Sequence, residues 1–180
     1  MIKIDHDHSP GNRLAIGRDM FVFRSFEALI TQDDWTNWSD ERASQVGLDI
    51  GWNAGAYSYE ILDLHVIASS GVEAVTGTLL RALPIQLLLR RCVNRALYWQ
   101  DEIGRFQSIN SLIQAEPELL SDLAANGPKP ETLEWVARMY MLGKIKLDPP
   151  TKWVAESFGI PHRTASHWVK LARERGHLDL

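Results

Sequence analysis

The apolar positions near the C-terminus predict a short helix that ends at a glycine. Val154, Ala155 and Phe158 follow a helical spacing. They come after a proline pair at 149–150, and proline suits the first turn of a helix because its missing N–H would have no partner there. Gly159 follows the last apolar position, and glycine readily adopts the positive φ that ends many helices. We therefore expect a helix between the proline pair and this glycine.

A second helix is predicted from Pro161 to about Arg175, with Gly176 as its terminator. At about 100° per residue, its apolar positions share one arc. They are Ala165, Trp168, Val169 and Ala172. The opposite arc carries donors and cations, which are Arg163, Ser166, His167 and Lys170. Because Ala155 places a small residue where the two helices would cross, the pattern is that of a helix-turn-helix, whose outer face suits base edges and phosphates. The open alternative is an ordinary helical hairpin with a solvated polar face.

A helix over Glu131–Leu147 precedes this pair and carries two apolar stripes. The first stripe is expected to pack on the helix-turn-helix and complete a three-helix unit; it consists of Leu133, Val136, Ala137, Tyr140 and Met141. The second stripe, which we expect to contact the N-terminal domain or another copy, consists of Trp135, Met139 and Leu142. The proline- and glycine-rich segment Asn126–Pro130 predicts a boundary between a domain 1–127 and a helix-turn-helix domain 128–180.

Alternating positions in the first half of the chain predict an antiparallel sheet of three or four strands. Apolar and polar residues alternate over Tyr59–Ala68, and Phe21–Phe23 has the aromatic and β-branched residues typical of a strand. Asp49–Ser58 indicates a strand followed by a turn. Val72–Thr76 is expected to return beside Tyr59–Ala68 as a hairpin.

One long helix is expected to cover this sheet. The segment Thr78–Trp99 is strongly helical in pattern, and Pro84 is placed in the first turn of its main helix. The apolar stripe consists of Ile85, Leu88, Leu89, Cys92, Val93, Ala96 and Leu97. A further helix of irregular phase is predicted within Gln100–Glu116. The expected fold class is therefore α+β, with an N-terminal antiparallel sheet covered by a long helix and a C-terminal three-helix unit.

Composition adds limits on the class of protein. The chain has 180 residues, of which 45% are hydrophobic and 23% charged, as in an ordinary soluble globular protein. Its one cysteine, Cys92, excludes a disulfide within the chain and a cysteine-cluster metal site. No apolar run approaches the ~20 residues of a membrane span, and the polar N-terminus is unlike a secretory signal. We expect a cytoplasmic protein without membrane contact.

Charge is distributed unevenly along the chain. Between Thr151 and His177 there are five Lys and Arg residues against two acids, a net charge of +3. Since the total is −4, the rest of the chain carries −7. A basic tip on an acidic body can orient a protein on DNA while it limits non-specific binding. Because +3 is modest, we expect two copies to act together.

Candidate chemistry in the N-terminal part is sparse. The run Asp5-His6-Asp7-His8 has metal-binding residue types, but nothing nearby completes a ligand set, and a solvated, disordered terminus is expected. His65 has no catalytic partner near it in sequence. The polar side of the predicted long helix, at Arg90, Arg91, Asn94 and Arg95, is either a solvated basic face or a second phosphate contact. No phosphate-binding loop, dinucleotide-binding glycine pattern or nucleophile elbow occurs. The expectation is no catalytic residue, no metal and no cofactor, and hence no enzyme.

The C-terminal residues also carry a resemblance. The string P-P-T-K-W-V-A-E-S-F-G-I-P-H-R-T-A-S-H-W-V-K-L-A-R-E-R-G resembles the C-terminal helix-turn-helix of actinobacterial regulators and of actinophage or mobile-element proteins, in which P-T-K-x-V-A-E-x-x-G and T-A-x-x-W-V-x-x-A-R-x-R-G recur. The resemblance covers about thirty residues. It implies DNA binding through the second helix, with contacts at Arg163, Thr164, Ser166, His167 and Lys170. Relatives often have Ser at the position of Pro161, which cannot provide a side-chain cap.

These observations predict a sequence-specific DNA-binding protein, a transcriptional regulator that acts as a homodimer on double-stranded DNA. The predicted DNA-binding residues are Thr151, Lys152, His162, Arg163, Thr164, Ser166, His167, Lys170 and Arg173. The N-terminal domain would assemble copies, bind a protein partner or sense a signal. The alternative is an assembly or adaptor protein of a phage or mobile element that holds DNA or a protein. A third, less favoured hypothesis is a nuclease or hydrolase activity in the N-terminal domain.

Overall fold

The computed structural model describes residues 2–5, 10–17, 20–31, 43–68, 75–100, 104–108 and 118–178. The chain divides into two compact units, 1–106 and 107–180. The strands are β1 (Lys3–Asp5), β2 (Arg13–Gly17), β3 (Met20–Phe23), β4 (Ser25–Thr31), β5 (Ala43–Asn53), β6 (Ser58–Ala68), β7 (Leu97–Gln100) and β8 (Phe106–Ser108). The helices within the described residues are α1 (Gly77–Ala82), α2 (Ile85–Val93), α3 (Leu119–Ala125), α4 (Pro130–Ile145), α5 (Pro150–Phe158) and α6 (His162–Glu174).

The strands form two four-stranded sheets, with strand orders β1-β4-β5-β6 and β2-β3-β7-β8, and except for residues 107–108 of β8 they belong to the first unit. The pairs β1–β4, β2–β3, β3–β7, β4–β5 and β5–β6 are antiparallel. Every second residue of β4 and of residues 45–50 in β5 is buried, which gives these segments one core face and one wetter face. The mixed architecture with antiparallel sheets agrees with the predicted α+β class.

The buried Tyr59 ties the two sheets together. Its hydroxyl donates to the Phe23 carbonyl at 3.0 Å and accepts from the Phe23 N–H at 2.9 Å. Its ring meets the rings of Phe26 and Trp52 edge to face, with centroids 5.2 Å apart in each pair. The Tyr59 hydroxyl therefore lies in the core at a point where backbone groups pair with it. The alternation over Tyr59–Ala68 does not give the buried face expected from it, because Leu62 is 68% exposed and Tyr59 is the only buried residue among those of β6 whose exposure is described.

The predicted hairpin between β6 and Val72–Thr76 falls largely outside the described residues, which include only 75 and 76 of its second strand. The partner of β6 is β5, and the four residues of their connecting turn are 54–57, as the strand and turn predicted over Asp49–Ser58 require. Thr76 instead caps α1, since its hydroxyl accepts from the Leu79 N–H at 3.2 Å. Residues 69–74 lie outside the described part.

The predicted long helix over 78–99 is also wrong. It is two short helices, α1 and the nine-residue α2, followed by strand β7. Leu83, which precedes Pro84, has an extended ψ of 120°, as the residue before proline prefers, and this separates α1 from α2. Leu97 continues the apolar stripe, but it pairs with Val22 in the sheet. Strand pairing has therefore overridden the helical spacing at this end of the stripe.

Three further expectations have different outcomes. Phe106–Ser108 forms β8, so the helix predicted there is wrong, while residues 101–103 and 109–117 lie outside the described part. Asp5 belongs to β1, so the disorder expected for the aspartate–histidine run is wrong at this residue, and residues 6–8 of the run are likewise not described. The division at 106–107 also differs from the boundary predicted at 127–128, because α3 packs with α4 and α5 in the second unit.

In the second unit, α4 packs against α5 and α6. The first apolar stripe of α4 is buried at Leu133, Val136, Ala137 and Met141, and Tyr140 is half-buried. Met139 and Leu142 of the second stripe are also buried, with 0% and 1% exposure. A second copy is therefore not needed to cover these two side chains, contrary to one of the two expectations for that stripe.

Candidate nucleic-acid interface

The turn between α5 and α6 consists of Gly159, Ile160 and Pro161. Gly159 is left-handed, with φ 63°, and the Ile160 N–H donates to the Ala155 carbonyl at 3.0 Å. A Cβ at Gly159 would meet nothing within 4 Å. Glycine is therefore favoured here by its backbone conformation and not by lack of space. Pro161 is the N-cap of α6 and makes no side-chain cap, as its ring structure predicts.

The inward face of α6 packs as predicted from its spacing. Ala165, Trp168, Val169 and Ala172 are all buried. The Trp168 ring meets the Phe158 ring of α5 edge to face, with centroids 5.9 Å apart. Ala155 of α5 is buried as well. Small and aromatic side chains together hold α6 in a fixed orientation.

The outward face of α6 is polar and exposed. Six predicted site residues on it are exposed: His162, Arg163, Ser166, His167, Lys170 and Arg173. Thr164 is half-buried at the border between the two faces. The remaining two predicted residues are on the first turn of α5, where Lys152 is exposed and Thr151 is half-buried. Both helices thus present cations and donors from one compact unit.

The cations of this surface differ in their partners. Lys152 lies 3.6 Å from Glu156, and Lys170 lies 3.6 Å from Glu174, both as i,i+4 pairs. Such exposed pairs are worth only about 0.3–0.5 kcal/mol, so a phosphate can compete for either lysine. Arg163 makes no ion pair with any residue that the structure describes.

Two predicted residues are held by the protein itself. Arg173 donates to the Tyr140 hydroxyl at 2.7 Å and lies over its ring, 5.1 Å from the centroid. This contact places the guanidinium beside α4, so Arg173 is less available than Arg163. The Ser166 hydroxyl donates to the His162 carbonyl at 2.9 Å, within the helix. Its oxygen can still accept a hydrogen bond from outside.

Two contacts that support this unit were not identified from the sequence. The buried Lys146 lies with its Nζ 4.6 Å from the centre of the Trp153 ring, between α4 and α5. Arg175 donates to the Pro128 carbonyl at 3.3 Å and so connects the end of α6 to the entrance of α4. Neither contact follows a sequence spacing, because each joins residues that only the fold brings together.

A second polar group lies on strands β5 and β6 of the first unit. Possible ligand atoms of Asp49, Asp63 and His65 lie within 4.8 Å of one another, and His65 Nε2 is 3.3 Å from Asp63 Oδ2. His65 therefore has an acidic partner two residues before it in the same strand. The i,i+2 spacing of Asp63 and His65 in a strand was the available signal, since it places both side chains on one face. Asp63 and His65 are both exposed, as a solvated polar face would be.

No helix within the described residues has the length and apolar character needed to cross a membrane. Comparison with protein-family models, with curated proteins and with solved structures gives no match to this chain.

Proposed function

We propose that this protein is a sequence-specific DNA-binding protein, a transcriptional regulator whose α5 and α6 form a helix-turn-helix. In this proposal α6 is the recognition helix and enters the major groove, while the first turn of α5 contacts the phosphate backbone. The protein would act by binding and not by catalysis, without a cofactor or metal.

One observation carries this proposal. The buried residues of α6 lie on one side, at Ala165, Trp168, Val169 and Ala172, and the exposed donors lie on the other. An ordinary surface helix also has two faces, but its acids and bases are usually mixed. Here the exposed residues from His162 to Lys170 include no acid. The only acids between 151 and 177 lie one helical turn after a lysine with which they pair.

Arg163 is the residue that we propose reads a base. It is exposed in the first turn of α6, the part of a recognition helix that contacts base edges. Its five donors are not used in an ion pair with any described residue. Arginine pairs with both O6 and N7 of guanine, which contributes about 1–3 kcal/mol of discrimination against another base. Lys152 and Lys170 are proposed phosphate contacts.

Selection of duplexes from a random library by the full chain tests whether the protein prefers a sequence. The selected duplex is then titrated with wild-type protein and with Arg163→Ala. We expect the variant to bind about 1–3 kcal/mol more weakly, which is roughly 5- to 150-fold, and to lose preference at one base pair. Arg81→Ala is the matched control, because Arg81 is exposed on α1 and outside the proposed interface.

The salt dependence of the same titration tests the dimer. With two proposed phosphate contacts per copy, Lys152 and Lys170, two copies predict a slope of log K against log salt of about −4, and one copy about −2. A dimer would also require two half-sites about 34 Å apart.

The outcome distinguishes the regulator from the adaptor of a phage or mobile element. Nanomolar binding to a selected sequence in the presence of competitor DNA supports a regulator. Binding that is equal for all duplexes, or no binding, refutes sequence-specific recognition and favours an adaptor whose partner is a protein.

A further inference from the structure

The first unit contains a small aromatic cavity that the proposed DNA binding does not use. Its volume is about 190 Å³. The described residues that line it are Arg13, Phe21, Val22, Phe23, Tyr98 and Phe106. They come from β2, β3, β7 and β8, the four strands of one sheet.

Strand pairing explains why these side chains meet. Arg13 lies directly opposite Phe23, and Phe21 lies directly opposite Tyr98. Residues that are directly opposite in an antiparallel pair share a face, and Phe21 and Phe23 share one because they are two residues apart. The rings pack edge to face, with centroids 5.1 Å apart for Phe21 and Phe106 and 5.2 Å for Phe23 and Tyr98. The wall of the cavity therefore presents both ring faces and ring edges.

The only formal charge among these lining residues is positive. The Cζ atom of Arg13 lies 4.2 Å from the centre of the Phe106 ring. No carboxylate belongs to the described lining, and no described residue forms an ion pair with Arg13. Burial raises the pKa of Tyr98, so its hydroxyl remains neutral at physiological pH. A half-buried guanidinium beside aromatic rings attracts an anion and disfavours a cation.

The size of the cavity limits its occupant to one ring. A cavity of about 150 Å³ lined by apolar side chains is sufficient for benzene. Sites for drug-sized ligands measure about 300–1,000 Å³. The volume of about 190 Å³ lies just above the first value and well below the second range.

We propose that this cavity binds a small aromatic carboxylate, with its ring against the phenylalanines and its carboxylate paired with Arg13. The edge-to-face arrangement favours an aromatic ring over a saturated one, because aromatic pairs gain from the positive ring edge meeting the negative ring face. The carboxylate matches the fork of N–H donors on the guanidinium. This inference is independent of DNA binding, and either can fail without the other.

Isothermal titration calorimetry on the full chain tests the proposal with three probes: benzoate, benzyl alcohol and cyclohexanecarboxylate. Benzoate has both proposed features, benzyl alcohol lacks the charge, and cyclohexanecarboxylate lacks the aromatic ring. We expect benzoate to bind at least about tenfold more tightly than benzyl alcohol, since a hydrogen bond to a charged group contributes enough free energy for a tenfold change in Kd. We expect cyclohexanecarboxylate to bind more weakly than benzoate.

Arg13→Gln provides the test of the charge. The variant should weaken benzoate binding about tenfold and leave benzyl alcohol binding unchanged. Arg81→Gln, which removes a guanidinium outside the cavity, should change neither. Absence of benzoate binding at millimolar concentration, or equal affinity of wild-type protein for benzoate and benzyl alcohol, would overturn the proposal.

A second measurement covers the case in which Arg13→Gln does not fold. Two-dimensional NMR of the wild-type chain with benzoate should show its largest shift changes at the backbone amides of Phe21, Phe23 and Tyr98. Changes confined to other residues would refute the assignment of the site even if benzoate binds.

Discussion

Gly143→Ala is the substitution for which the structure makes the sharpest stability prediction. Gly143 is buried within α4, at the point where α4 crosses the start of α5. An added Cβ would lie 2.8 Å from Trp153 Cβ, 3.0 Å from Pro150 Cα and 3.2 Å from Trp153 Cγ. Two of these atoms belong to or adjoin the α5 backbone and cannot rotate away. The methyl group can therefore be accommodated only if the helices move apart.

Two opposing effects decide whether Gly143→Ala raises or lowers the free energy of unfolding. In a free helix, alanine is favoured over glycine by about 0.8–1.0 kcal/mol. Overpacking a close contact typically costs about 1–3 kcal/mol. Because the closest approaches are at or below 3.0 Å and one involves backbone, we take the upper half of that range. The expected net effect is a loss of about 1–2 kcal/mol in the free energy of unfolding of the second unit.

Urea denaturation followed by circular dichroism measures this difference. A loss of about 1 kcal/mol would lower the melting temperature of a unit of this size by roughly 4–8 °C. Gly47→Ala is the control, because its Cβ would meet only His65 atoms at the ordinary distances of 3.6 and 3.7 Å. An increase in stability for Gly143→Ala, as in an isolated helix, would refute the close crossing.

Two more predictions concern the turn and the core. Gly159→Ala should destabilise the second unit by about 1–2 kcal/mol in urea denaturation, because alanine disfavours the φ of 63° although space for its methyl group is available. An unchanged urea midpoint would contradict the left-handed turn. Tyr59→Phe should lower the free energy of unfolding of the first unit by about 1–3 kcal/mol, since the hydroxyl makes two buried hydrogen bonds with Phe23. Tyr140→Phe should cost less, because the hydrogen bond between Tyr140 and Arg173 is exposed. Burial also raises the pKa of Tyr59, so the neutral form is favoured in the folded chain. The stability that this provides is complete below the unfolded pKa of about 10 and is lost as pH rises above it. Denaturation at pH 8 and pH 11 should therefore show a larger alkaline loss in wild-type protein than in Tyr59→Phe; equal losses would contradict the shift.

The sequence predicted the second unit better than the first, for a physical reason. The pattern of α5 and α6 depends on contacts within a few turns of helix, so spacing alone identified Phe158, Gly159 and Trp168 in their observed roles. In the first unit, β6 could pair with either neighbour in the chain, and alternation is the same in both cases. The choice of β5 depends on contacts across the whole sheet.

In the candidate sites, too, the features set by local helical spacing were predictable and those set by long-range contacts were not. Exposure of Arg163 and Lys170 followed from their helical positions, opposite a buried stripe. The contact that draws Arg173 towards Tyr140 did not, because these residues are on different helices. The aromatic cavity was not predictable either, since Arg13, Phe21 and Tyr98 are far apart in the chain and meet only through strand pairing.

The amino-acid order by itself determined where helices and strands with a strong local pattern occur, and which side of α6 is buried. The spacing of apolar residues indicates which side of a helix or strand is buried, whatever that side packs against. Tertiary structure alone decided which strands pair, where the predicted long helix ends at β7, and which distant side chains close the cavity around Arg13. Those outcomes depend on competition among long-range contacts, and residues that are distant in sequence leave no shared local pattern.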